Sequence, residues 1–197
     1  MTIEEIFEKW SLNGKNKEAG VAMWNSMAAS FGEQTLPTFD DDRFLQLLRK
    51  HHMLRKDSLV LDVGCGSGKY ALAIAGHCKG VVGIDFSPDM LAIAKQKAAE
   101  ENTRNVDFQW ADWHEIDLKQ HGLEGKFDLV IARMTPAVQS ANTFQKLSLA
   151  SRGWCVLSKP TRRTDSVYDE IRKRIGITVK RESADMDILY AFSLLWR

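Results

Sequence analysis

Cysteine is scarce in this chain: Cys65, Cys78 and Cys155 are odd in number, widely spaced and fit no metal-ligand pattern. No metal site is expected, and free thiols suit a reducing compartment. Charge of one sign is lacking too. Twenty-seven basic residues against 26 acidic ones leave a net charge of +1, so no overall field would hold the chain on a phosphate backbone or an anionic membrane. No stretch approaches the roughly 18 apolar residues needed to cross a bilayer, and no charged leader precedes an apolar run at the start. Repeats and low-complexity tracts are missing. These absences point away from membrane and nucleic-acid partners and towards a cytoplasmic protein that handles a small molecule.

What is present is enough for a core. With 44% hydrophobic and 27% charged residues over 197 positions, the chain suits one globular domain, or one domain with a short cap. Residues 1–56 look helical, with Ile3, Ile6, Phe7 and Trp10, and later Phe44, Leu45, Leu47 and Leu48, at helix spacing. Pro37 and the acidic run 40–42 divide this cap into two helical pieces, and Asp40 or Asp41 is the expected cap of the second.

From Leu59 onward, short apolar runs alternate with helical periodicity. SLVLDVG reads as a buried strand, GKYALAIAGHC as a helix, GVVGID as a strand and SPDMLAIAKQKAAEEN as a helix capped by Ser87 with Pro88 in its first turn. Residues 105–110, 127–132 and 154–158 supply three more strands, with a helix at 143–151. Helices are also expected at 165–175 and 185–195. Apolar strands joined by helices imply an α/β parallel sheet covered on both faces.

The chemistry gathers at the ends of the first strands. LDVGCGSGKY places Gly64, Gly66 and Gly68 at the turn into the first helix of the sheet, preceded by Asp62. Glycine permits positive φ and lets main-chain N–H groups approach a ligand. The spacing G-x-G-x-G differs from the dinucleotide G-x-G-x-x-G, and Tyr70 after Lys69 excludes a Walker-A phosphate loop, which needs Ser or Thr there. Seventeen residues beyond Gly68, the second strand ends in Asp85, a carboxylate placed to accept two ribose hydroxyls and to repel a 2′-phosphate.

LDVGCGSG followed by VVGIDFSPDML resembles the first two motifs of class I S-adenosylmethionine-dependent methyltransferases, over roughly residues 58–160. The resemblance implies a Rossmann-like, doubly wound sheet of central order 3-2-1-4-5, with S-adenosylmethionine as cofactor across the carboxyl ends of the first three strands. It implies that Gly64, Cys65 and Gly66 line the methionine end, Asp85 holds the ribose, Phe86 or Met90 covers the adenine, and Asp112 with the main chain beside Trp113 meets the adenine edge. His114 is the candidate general base, Arg133 a candidate for an anionic substrate or the cofactor carboxylate, and Thr135 a candidate for orienting the acceptor. ARMTPAVQSANTF carries neither the Asn/Asp-Pro-Pro-aromatic motif of base amine methylation nor a Pro-Cys nucleophile, which disfavours nucleic-acid bases and leaves a small-molecule acceptor.

GVAMWNSMAASFGE resembles the helix that folds over the cofactor in many members, with Trp24, Met27 and Phe31 forming an apolar stripe for the sheet or for a ligand. The expected organisation is therefore a helical cap and lid over 1–56 and a cofactor domain over 57–197. The basic stretch 159–181 reads as a solvated face. The family's sheets usually finish with two more strands. Here either residues 177–180 form an abbreviated edge strand or that pair is missing and DMDILYAFSLLWR is helical, and a bare sheet edge would invite a homodimer. A catalytically silent domain that binds S-adenosylmethionine as sensor or partner subunit would share these cofactor motifs. A nicotinamide-dependent oxidoreductase fits poorly, because the glycine spacing is wrong and no Tyr-Lys pattern follows.

Overall fold

The structure, a computed structural model, describes residues 1–11, 16–160, 166–176 and 182–196. Five parallel strands, β1 (Leu59–Val63), β2 (Gly80–Asp85), β3 (Val106–Trp110), β4 (Phe127–Arg133) and β5 (Ser151–Ser158), form one sheet in the order β3-β2-β1-β4-β5. The alternation of side chains along β1 and β4 explains why both faces are covered. Leu61, Val63, Val130 and Ala132 enter one apolar cluster, while Val60, Leu129 and Ile131 enter the other. The order reverses between β1 and β4, so a crevice opens above their carboxyl ends.

Helices α4 (Lys69–Ala75), α5 (Pro88–Glu100) and α6 (Ala141–Ala150) follow β1, β2 and β4. Ser87 caps α5 by accepting the Met90 N–H at 3.2 Å, with Pro88 in the first turn, as the sequence predicts. The connection from β3 to β4 has no helix. It winds through turns from Ala111, burying Ile116, Leu118 and Leu123 in the core.

The cap contains α1 (Ile3–Lys9), α2 (Lys17–Gly32) and α3 (Arg43–Lys50), so the first of the two expected helical pieces is itself two helices. Thr2 caps α1 and Asn16 caps α2, each accepting an N–H from three residues on. The cap of α3 corrects the sequence reading: it is Asp42, whose Oδ1 accepts from Phe44 and Leu45. Asp41 instead accepts the Thr38 N–H at 2.8 Å, and Tyr70 and Arg133 hold the other Asp42 oxygen. Ile6 and Trp10 of the α1 segment lie in the core beside Phe144 of α6.

At the other end, α7 (Ser166–Arg174) and α8 (Glu182–Leu195) are helical as expected, and Tyr190 of α8 stacks on Trp10. The alternative edge strand at 177–180, and part of the basic stretch, lie outside the described residues. Among the described residues β5 is the last strand of the sheet, and its Trp154 is half exposed. No described helix is long and apolar enough to cross a membrane, and the described residues hold no cluster of three or more metal-ligating side chains.

Candidate functional site

The glycine loop forms because nothing larger fits it. Gly64, Gly66 and Gly68 take φ of +68°, +53° and +77°, where a Cβ would be strained. A Cβ on Gly64 would stand 1.9 Å from Thr135 Oγ1, and one on Gly68 would stand 2.7 Å from the Phe108 ring. Thus the loop from β1 packs against the loop after β4 on one side and β3 on the other. The N–H groups of Gly64 and Cys65 donate to Ile84 O at 2.8 and 3.0 Å, pinning the loop to β2.

Asp85, at the end of β2, is nearly buried. Its Oδ2 accepts the Gly66 N–H at 2.8 Å and its Oδ1 the Ser87 N–H at 2.9 Å. The carboxylate is thereby fixed against the glycine loop with a lone pair on each oxygen to spare. Burial raises its pKa, while the Ser87 and Gly66 N–H groups oppose that rise. Asp62 lies deeper, in β1, where burial first and the Asp85 charge second push its carboxyl up to about 7. Cys65 is buried and the same burial pushes its thiol well up, which keeps it in the neutral form.

Two adjoining cavities, of about 490 and 170 Å³, open above these strand ends and share Trp24, Gly64, Asp85, Phe86 and Pro136 in their walls. Asp112, Trp113, His114 and Lys17 line the larger one, while Cys65, Gly66, Met90, Arg133 and Thr135 line the smaller. The structure therefore brings Asp85, Phe86, Asp112 and Gly64 to one cleft and places His114 at its Asp112 end, in a different cavity from Arg133 and Thr135. Gly68 shapes the loop and Asp62 supports it, and neither lines the cleft. The Trp113 indole turns away into the core, donating to Thr143 O at 3.0 Å, so only its main chain faces the cavity side.

Arg133 is held at the end of β4 by residues the sequence reading did not connect. Its guanidinium lies 4.2 Å from the Tyr70 ring centre and 5.3 Å from that of Phe44, with Asp42 at 3.6 Å. The Tyr70 hydroxyl donates to Asp42 at 2.8 Å. Despite this nest, Arg133 Nε is buried and makes no hydrogen bond in the structure. Thr135 is also nearly buried, and its hydroxyl oxygen accepts the Ala137 N–H at 3.1 Å.

The wall opposite the sheet is α2. It packs on α5, places Trp24 edge-on to Phe31 at 6.0 Å, and is fastened by the Ser87 hydroxyl donating to Asn25 and the Ser67 hydroxyl donating to Phe31 O. Lys17 and Lys146 were not legible as site residues. The Lys146 ammonium donates to the carbonyls of Trp113, His114 and Ile116 at 3.1, 3.1 and 2.8 Å, fixing the loop that carries Asp112.

Residues 54–178 match the model of a family described as a methyltransferase domain, more than half of the chain. The chain belongs to this methyltransferase-domain family. Among its relatives, the release factor glutamine methyltransferase of Aliivibrio fischeri is 31% identical over 99 residues, covering 49% of this chain and 33% of that protein. The 23S rRNA (uracil(1939)-C(5))-methyltransferase RlmD of Legionella pneumophila is 33% identical over 63 residues, covering 32% of this chain and 14% of that protein. The chain thus spans a third or less of the length of these curated relatives. YjhP of E. coli has a similar fold, with a TM-score of 0.60 at 20% identity over 87% of this chain and 70% of that one.

S-adenosylmethionine is the cofactor this family implies, and the residues present fit it. The glycine cradle would be filled by any Cβ at Gly64. Asp85 has acceptor capacity suited to a diol, and Asp112 stands across the larger cavity as an acceptor for an exocyclic amine.

Proposed function

We propose that the protein is an S-adenosylmethionine-dependent methyltransferase acting on a small-molecule acceptor, with residues 1–56 as a cap whose helix α2 is the lid and 57–197 as the cofactor domain. One observation carries this reading: Asp85, locked to the glycine loop through the Gly66 N–H, lies in the same cleft as Asp112 and beneath α2. When bound, the cofactor supplies a methyl group on an already activated sulfonium. The protein's work is then to bind, orient and exclude water, which few catalytic groups can do.

In this reading Gly64, Cys65 and Gly66 present the loop to the methionine end, Asp85 accepts the ribose hydroxyls, and Asp112 accepts the adenine amine. Phe86, which lines both cavities, covers the ring system, and Met90 supports the loop from below, its sulfur 3.9 Å from where a Gly66 Cβ would stand. Arg133 and Thr135 face the acceptor side, where the guanidinium, part exposed and with its Nε unpaired, suits an anionic group. His114 stands at the adenine end and is not well placed to take a proton from an acceptor near Arg133.

The small-molecule part of the reading is supported by the near-neutral charge and by the size of the two adjoining cavities beside α2, about 490 and 170 Å³. A protein and an RNA acceptor are named for the two relatives above. Incubation with S-adenosylmethionine and a desalted or undesalted cell extract, followed by quantification of S-adenosylhomocysteine, tests it. Turnover that needs the low-molecular-weight fraction and is lost in Arg133→Met supports the proposal; turnover that survives its removal points to a macromolecular acceptor.

A further inference from the structure

Lys17 is the first helical residue of α2 and stands between two carboxylates of the β3–β4 connection. Its Nζ is 3.0 Å from Asp112 Oδ2 and 2.5 Å from Glu115 Oε2. The two partners differ in freedom. The Asp112 side chain is 10% exposed and its Oδ1 accepts the His114 N–H at 2.9 Å, whereas Glu115 is 67% exposed. Lys146 further anchors the carbonyls that follow Asp112, so Asp112 cannot follow a moving partner. Lys17, on a flexible four-carbon stem, can.

Asp112, whose Oδ2 Lys17 occupies, lines the cavity in which the cofactor reading puts the adenine, as does Lys17 itself. We propose that Lys17 is a positioning residue that works by hand-over between these carboxylates. In the ligand-free protein it fastens the amino end of α2 across the cleft to both Asp112 and Glu115. When a 6-aminopurine reaches Asp112, Lys17 yields that oxygen and stays on Glu115, keeping the lid shut while the adenine amine takes its place. The exchange costs little because the adenine amine replaces the ammonium as donor to Asp112, and because the ammonium keeps a second carboxylate at hydrogen-bond distance throughout. The carboxyl half of α2 does not depend on it, being tied separately through Asn25 and the Phe31 carbonyl, and the turn after the helix through the Gln34 carbonyl, which accepts from Lys97 at 2.9 Å.

This inference rests on the cleft being an S-adenosylmethionine site, so the test has one arm that needs no ligand. Limited proteolysis of the full chain without ligand should cut the amino end of α2 at least fivefold faster in Lys17→Met than in wild type or Lys17→Arg; equal rates would overturn the latch whatever the cofactor. In stopped-flow binding of S-adenosylhomocysteine, Lys17→Met should raise both the association and the dissociation rate about fivefold, Glu115→Gln should raise dissociation alone, and Lys17→Arg should stay within twofold of wild type. Association and dissociation rates unchanged in Lys17→Met would overturn the hand-over, and wild type failing to bind while its lid is protected would overturn the cofactor reading instead.

Discussion

Asp85 carries the heaviest expectation of any single side chain, because its two oxygens are already positioned by backbone N–H groups before any ligand arrives. Such a preorganised, charge-assisted contact loses little on binding. Asp85→Ala should weaken S-adenosylmethionine binding more than tenfold, about 1.4 kcal/mol or more, by calorimetry; unchanged affinity would remove Asp85 from the site. Gly64 makes a packing prediction. Gly64→Ala combines positive φ with a contact of 1.9 Å to Thr135 Oγ1 and should cost about 1–3 kcal/mol in urea unfolding. Adding Thr135→Gly should recover part of that loss, and a purely additive double variant would show that the two loops are not in contact.

Asp62 ties the same site to pH. Its carboxyl is raised to about 7, by burial and then by the Asp85 charge. Between the unfolded value of 3.8 and about 7 the folded chain holds more protons than the unfolded one, so stability falls as pH rises through that window and levels off above it. Asp62→Asn removes this contribution. Between about pH 5 and 7.5 the melting temperature of the wild type should fall relative to that of the variant, by about 3 °C per kcal/mol for a chain of this size. Parallel melting curves would contradict the raised value.

Among the elements, α2 is the one whose role is least settled by its own sequence. Trp24, Met27 and Phe31 suited either the sheet or a ligand, and the structure places Trp24 and Phe31 at the cavity walls, with Met27 partly exposed. A lid should exchange amide hydrogens faster than β1 and β4, and slow markedly once S-adenosylhomocysteine is bound. Equal protection with and without ligand would show that α2 is a fixed wall. Element boundaries were most legible where one local signal acts alone: β2 runs over the predicted Gly80–Asp85, and Ser87-Pro88 opens α5. They were least legible where distant residues decide. Asp42 outcompetes Asp40 and Asp41 as cap because Tyr70 and Arg133 reach it from α4 and β4. Lys17 meets a partner 98 positions away, and Lys146 reaches carbonyls 30 to 33 positions back, so neither leaves a trace in local spacing.

Across the whole fold, the sheet order and the meeting of the glycine loop with Asp85 were legible because each βα unit writes its own strand, turn and acid into consecutive residues. The surroundings of Arg133 were not, since Arg133, Tyr70, Phe44 and Asp42 come from three separate elements and meet only after folding. Calorimetric titration of the purified chain with S-adenosylmethionine, S-adenosylhomocysteine and NADH in parallel asks which cofactor the cleft holds. Binding of the first two and not of NADH is the predicted result; binding of NADH, or of none of the three, would contradict it.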